Sequence, residues 1–155
     1  MDGQCVRLMR ARPGGHPLHP MLVHFPVACW TLGVAADLAG YASGHAGWWS
    51  FGLVCLNIGL VTGIAAILAG FLEFAMLPKQ HPAQHTAMLH MTWALVAWSL
   101  FAFSLLLRNV AAAEQPSLWP TAASLGGLAA TLVAGWLGGR LVYRFGVGVA
   151  TPAQR

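Results

Sequence analysis

The chain has 155 residues, of which 57% are hydrophobic and only 8% are charged, with a formal net charge of +4. A soluble globular domain carries about 25% charged residues, so this composition excludes an ordinary soluble fold. The few basic residues are dispersed and accompany no nucleic-acid-binding motif, so we expect no nucleic acid among the partners of this protein.

Long stretches without Asp, Glu, Lys or Arg follow one another along the chain, at 13–36, 38–72, 80–107 and 115–139. Each exceeds the roughly 20 residues that a helix needs to cross the lipid bilayer. We therefore predict a transmembrane domain over 20–146, with helices near 20–42, 47–76, 84–107 and 118–143. A cytoplasmic leader over 1–19, interrupted by prolines, precedes this domain, and a tail over 147–155 follows it.

The connections between these segments are short, which makes consecutive helices antiparallel neighbours. The predicted fold class is therefore all-α, a transmembrane up-down-up-down four-helix bundle. No internal repeat stands out in the sequence. The one local echo is a five-residue spacing, which occurs in His19 and His24 and again in His85 and His90.

The basic residues predict the orientation of the bundle, because lysine and arginine concentrate in cytoplasmic segments. All but one fall at the same face, at Arg7, Arg10, Arg12, Lys79, Arg140, Arg144 and Arg155. Only Arg108 falls at the other face. We therefore predict a multi-pass protein with both termini in the cytoplasm.

Two histidines lie at similar depths inside the apolar segments, His24 in the first helix and His90 in the third. An ionisable side chain within a membrane span is costly and marks a functional site by default. The first and third helices are diagonal in a four-helix bundle, so both imidazoles can bind one iron from opposite sides. We predict haem b with His24 and His90 as axial ligands, and with Arg140 and Arg144 bonded to its propionates.

Four other histidines approach the same membrane face, His16 and His19 just before the first helix and His81 and His85 at the approach to the third. Such an interfacial cluster is able to bind copper or zinc, or to relay protons to a quinone. A solvated loop is the other interpretation, since no acidic or cysteine ligand accompanies these histidines. We expect His19 and His85 to be less essential to the haem than the intramembrane pair.

Two ion pairs are expected inside the bundle, because lipid disfavours an unpaired charge. Asp37 and Arg108 lie at one end of the predicted helices, and Glu73 and Arg140 lie at the other.

The strings GHPLHPMLVHFPVACW at 15–30 and GWLGGRLVYRFGVGV at 135–149 resemble a bacterial family of four-helix membrane proteins, catalogued as domain of unknown function twenty-two thirty-one. The residues that carry this resemblance are His16, Pro17, His19, Pro20, His24, Pro26, Gly138, Gly139, Arg140, Leu141, Tyr143 and Gly146, and His90 matches the histidine that opens the third helix. Some members are fused to, or encoded beside, Rieske iron–sulfur domains. The resemblance implies redox work in a membrane, and an iron–sulfur partner would be a separate protein.

These observations favour a b-type haem protein of the bacterial inner membrane that transfers electrons between the quinone pool and a partner redox protein. The lipid bilayer, a quinone and a redox protein or larger membrane complex are thus the expected partners. The alternative is a non-haem structural or assembly subunit of a membrane complex that binds a metal through its histidine cluster. A second intramembrane ligand pair would favour the first interpretation, and the sequence shows none.

Overall fold

A computed structural model of the protein describes residues 17–111 and 117–149. Within these ranges the chain forms four helices, α1 (Leu18–Ser43), α2 (Ala46–Ala75), α3 (Gln84–Ala111) and α4 (Leu118–Tyr143). All four are long and apolar enough to cross a membrane. The all-α, four-helix transmembrane fold predicted from the sequence is therefore confirmed. His16 lies outside the described residues, as does most of the predicted leader.

Local capping interactions set the turns between the helices. Gly44 ends α1 with a φ of 66°, a left-handed conformation that glycine adopts without steric cost, and its N–H bonds to the Gly40 carbonyl. Nδ1 of His45 accepts a hydrogen bond from the Gly47 N–H at the start of α2. Nδ1 of His81 likewise accepts from the Ala83 N–H just before α3. His45 and His81 therefore have local structural roles.

Helices α1 and α2 pack closely along their length as one antiparallel hairpin, and α3 and α4 form a second hairpin. The two hairpins contact each other less extensively than the helices within each hairpin do, and we call the interface between the hairpins the seam. Glycines in α2 and α4 lie directly against aromatic rings of the partner helix, Gly59 against Trp30 and Gly127 against Phe101. Membrane helices associate through such small residues, because these allow close approach of the helices.

The centre of the seam is filled by Trp30 and Phe101, which stack with their ring centroids 4.5 Å apart. Both belong to the buried core of the bundle, together with Val34, Leu56 and Leu60. Nε1 of Trp98 on α3 also donates to the Leu60 carbonyl on α2. This aromatic layer separates the polar groups at the two ends of the bundle.

We call the end at which α1 and α3 begin, and α2 and α4 finish, the histidine end. The opposite end, which contains Asp37 and Arg108, is the ion-pair end.

Candidate functional site

The structure brings together His19 of α1 and His90 of α3 at the histidine end. Their ring centroids lie 5.8 Å apart and their planes are at 86°, an edge-to-face arrangement. Both residues are half-buried. Two imidazoles from diagonal helices therefore meet across the seam.

Each imidazole is oriented by the other helix of its own hairpin. Nδ1 of His19 lies 2.8 Å from the Ala66 carbonyl oxygen, and Nδ1 of His90 lies 2.8 Å from the Ala134 carbonyl oxygen. A carbonyl oxygen can only accept, so Nδ1 carries the proton in both rings. In the neutral rings Nε2 then has no proton, which is the tautomer of a metal-binding imidazole fixed by a backbone hydrogen bond.

Two glycines leave room for these rings. A Cβ atom at Gly70 would lie 2.9 Å from Nδ1 of His19, and a Cβ atom at Gly138 would lie 3.3 Å from Cε1 of His90. Any larger residue at these two positions would press on the imidazole.

His24 does not take part in this pair. It is exposed on the outside of the bundle, and the ring next to His90 is that of His19. Five residues turn a helix by about 500°, which is about 140° beyond a full turn. His24 therefore faces away when His19 faces the seam, and the exposed His85 faces away from the seam for the same reason. The structure therefore places His19, rather than His24, beside His90, and the assignment of haem ligands stays a prediction.

The arginines predicted to bind propionates lie near the histidine end, against aromatic rings. The guanidinium carbon of Arg140 is 4.9 Å from the ring centroid of Trp136, and that of Arg144 is 5.6 Å from Phe145. Trp136 is 62% exposed, so Arg140 covers an outer surface of α4. Neither contact directs an arginine towards the histidine pair.

Glu73 has a different partner from the one that the sequence suggested. Its Oε1 accepts a hydrogen bond from the backbone N–H of His19, at 3.0 Å. Within the described ranges Asp37 and Arg108 form the only salt bridge, so Glu73 and Arg140 are not paired. Glu73 instead fixes the start of α1 to the last turns of α2.

The predicted pair of Asp37 and Arg108 is confirmed. Nη2 of Arg108 donates to Oδ2 of Asp37, and the two residues are only 5% and 0% exposed. The guanidinium also lies 3.9 Å from the ring centroid of Trp49. Oδ1 of Asp37 packs against Gly52, where a Cβ atom would lie 2.5 Å from it. Opposite charges are thus enclosed between α1 and α3 at the ion-pair end.

The donor set of the histidine end suits some metal centres better than others. Across 17–111 and 117–149, no group of three or more His, Cys, Asp or Glu is arranged to hold a metal ion. A zinc site needs three or four protein ligands, whereas a six-coordinate haem iron needs only two. The structure brings together two imidazoles, those of His19 and His90, with their ring centroids 5.8 Å apart.

Four apolar helices that enclose a histidine pair at one end and an ion pair at the other define a small polytopic membrane protein. The chain belongs to the family described as "Predicted membrane protein (DUF2231)", whose model matches residues 15–151. The resemblance noted in the sequence is therefore confirmed. No curated protein and no solved structure matches the chain.

Proposed function

We propose that this membrane protein binds haem b through His19 and His90 and transfers electrons between the quinone pool and a partner redox protein. The facing pair of imidazoles carries this proposal. Both rings have Nδ1 engaged by a backbone carbonyl, which leaves both Nε2 atoms for a metal. Ionisable side chains within helices that cross a membrane are functional candidates, because such residues are costly in lipid.

Bound haem would supply a one-electron redox centre, and His19 and His90 are the residues that would hold it. The residues of this chain hold and orient the two imidazoles through the carbonyls of Ala66 and Ala134. Arg140 and Arg144 lie near the same end, and either would have to leave its contact with Trp136 or Phe145 to bond to a haem carboxylate. The expectation from the sequence that His19 is less essential to the haem than His24 is replaced here by the expectation that His19 is a ligand.

Expression with an adequate haem supply tests the proposal directly. The purified protein should contain iron and show a low-spin Soret band, because two imidazoles are strong-field ligands. His19→Ala and His90→Ala should each abolish haem binding or leave a high-spin species. His24→Ala and His85→Ala are matched controls, because both side chains are exposed, and they should retain the wild-type spectrum. A colourless wild-type protein without iron would rule the proposal out.

A second candidate is a non-haem structural or assembly subunit of a membrane complex. The direct contact between the two rings favours it, because the edge-to-face pair and its backbone hydrogen bonds hold the helices together without a metal. In that case His19→Ala should lower the thermal stability of a colourless protein. The protein should also co-purify with other membrane subunits after mild solubilisation.

We also propose that both termini lie in the cytoplasm and that the bundle lies in the inner membrane. The basic residues support this orientation, and the single exception, Arg108, is neutralised within its buried ion pair. Reporter fusions after Arg155 and within 109–117 should report the cytoplasm and the periplasm, respectively. A periplasmic reporter after Arg155 would place the histidine end at the outer face.

A further inference from the structure

Three contacts that α1 makes with α3 across the seam join residues separated by a constant interval in the sequence. These pairs are His19 with His90, Trp30 with Phe101, and Asp37 with Arg108. In each pair the second residue follows the first by 71 positions, since 90 − 19, 101 − 30 and 108 − 37 are equal. The three pairs lie at one end, in the middle and at the other end of the bundle. The same interval of 71 positions therefore relates α1 to α3 from one end of the seam to the other.

Contacts inside the two hairpins repeat as well. His19 bonds to the Ala66 carbonyl and packs on Gly70, while His90 bonds to the Ala134 carbonyl and packs on Gly138. The residues of α2 and α4 in these contacts differ by 68 positions, since 134 − 66 and 138 − 70 are equal.

The contacts of the aromatic layer show the same two intervals, 71 positions between α1 and α3 and 68 positions between α2 and α4. Trp30 lies against Gly59, and Phe101 lies against Gly127, again 68 positions later, since 127 − 59 is also 68. Buried positions match too, because Pro26 and Ala97, which are 71 positions apart, are both enclosed. The match therefore extends beyond the residues that touch across the seam.

We infer that the chain consists of two equivalent helical hairpins related by a pseudo-two-fold axis along the bundle, and that the ligand site lies on this axis. In a two-fold arrangement only groups near the axis contact their own equivalents, so the three pairs trace its course. Each hairpin contributes one half-site, which consists of a histidine, the carbonyl that orients it and the glycine beneath it. Membrane proteins with parallel repeats also bind ligands at the interface between the repeats.

The ligand that fits such a site is a single metal centre with two equivalent nitrogen ligands, one from each hairpin. This part of the inference rests on the proposed function. The opposite end shows why the two hairpins pair with each other, because equivalent positions there carry opposite charges, Asp37 and Arg108. Two copies of the first hairpin would place Asp37 against Asp37, which would disfavour that pairing.

Titration of the purified full-length protein with hemin tests the ligand part. The wild type should bind one hemin per chain in a low-spin form. His19→Ala and His90→Ala should both become high-spin. Their affinities for hemin should fall by the same factor to within about threefold, because equivalent ligands contribute equally to binding. If only one variant changed, the symmetric site would be wrong while haem binding stood. A wild type that bound no hemin would overturn both the ligand part and the proposed function.

The equivalence of the hairpins is tested without any ligand. Gly70→Leu and Gly138→Leu should lower the midpoint of thermal unfolding of the ligand-free protein by amounts within about 3 °C of each other. Each substitution drives a side chain into the histidine of its own hairpin. Gly135→Leu is the matched control, because a Cβ atom there has no neighbour within 4 Å, and it should leave the midpoint unchanged. Destabilisation confined to one hairpin would overturn the equivalence.

Discussion

Replacing Asp37 with alanine is expected to lower the free energy of unfolding by about 3–5 kcal/mol. The guanidinium of Arg108 is 5% exposed and would lose its carboxylate partner, while Trp49 would still cover its face. A buried charge without a partner is costly, and lipid offers it no water in exchange. Reversible unfolding in mixed micelles, followed by circular dichroism, would measure the loss.

The double variant Asp37→Leu/Arg108→Leu distinguishes two effects on the free energy of unfolding. One is the cost of a buried charge that has lost its partner, and the other is the net contribution of the ion pair. Apolar replacement of both partners of a buried ion pair is often neutral, so this variant should recover most of the lost stability. Glu73→Ala is a second control, because Glu73 is only partly buried and caps the backbone of His19. It should cost about 1 kcal/mol, the usual value of a helix-capping interaction. An Asp37→Ala loss no larger than that of Glu73→Ala would contradict the buried pair.

Gly59→Leu is expected to be the second most damaging substitution, with a loss of about 3 kcal/mol, the upper part of the usual range for overpacking. The indole of Trp30 occupies the space that a Cβ atom at this position would need. The indole is 6% exposed and stacked on Phe101, so it has no space into which to move. Helices α1 and α2 would have to separate, and the stack at the centre of the seam would be disturbed.

Thermal unfolding of the purified variant would measure this effect, and near-ultraviolet circular dichroism would report the displaced tryptophan. Gly126→Leu is a suitable control on α4, because the only atom near a Cβ there is Cδ1 of Leu100, at 3.5 Å. This ordinary contact should make the control nearly neutral. A Gly59→Leu protein as stable as that control would show that α1 and α2 pack less closely than described.

The scarcity of charged residues in the sequence determined the fold class and the number of membrane-spanning helices. Uncharged stretches longer than a bilayer is thick allow few folds other than membrane helices, and short connections make those helices antiparallel neighbours. The pairing of Asp37 with Arg108 followed by the same logic, because each is the ionisable residue near the same end of its helix. Number of spans, fold class and the buried ion pair were therefore predictable.

The identity of the histidine pair depended on the tertiary structure. The sequence placed the start of the first helix near residue 20 and left His19 in the preceding loop, whereas α1 begins at Leu18 and includes it. A spacing of seven, four and seven residues aligns His19, Pro26, Trp30 and Asp37 on one helix face, and this spacing was the available signal for His19. Depth in the predicted membrane span alone favoured His24, but the helical periodicity places its side chain on the outer surface of the bundle.

The two equivalent hairpins were also hidden in the sequence, for a physical reason. In a membrane the outer surface of a helix is as apolar as its interior, so hydropathy does not reveal which face is buried. The identical residues that the two hairpins share in the contacts that define the repeat are few and widely spaced: two histidines, two alanines and four glycines. The other two pairs, Trp30 with Phe101 and Asp37 with Arg108, differ in residue type, so their equivalence is visible only in the contacts of the packed bundle.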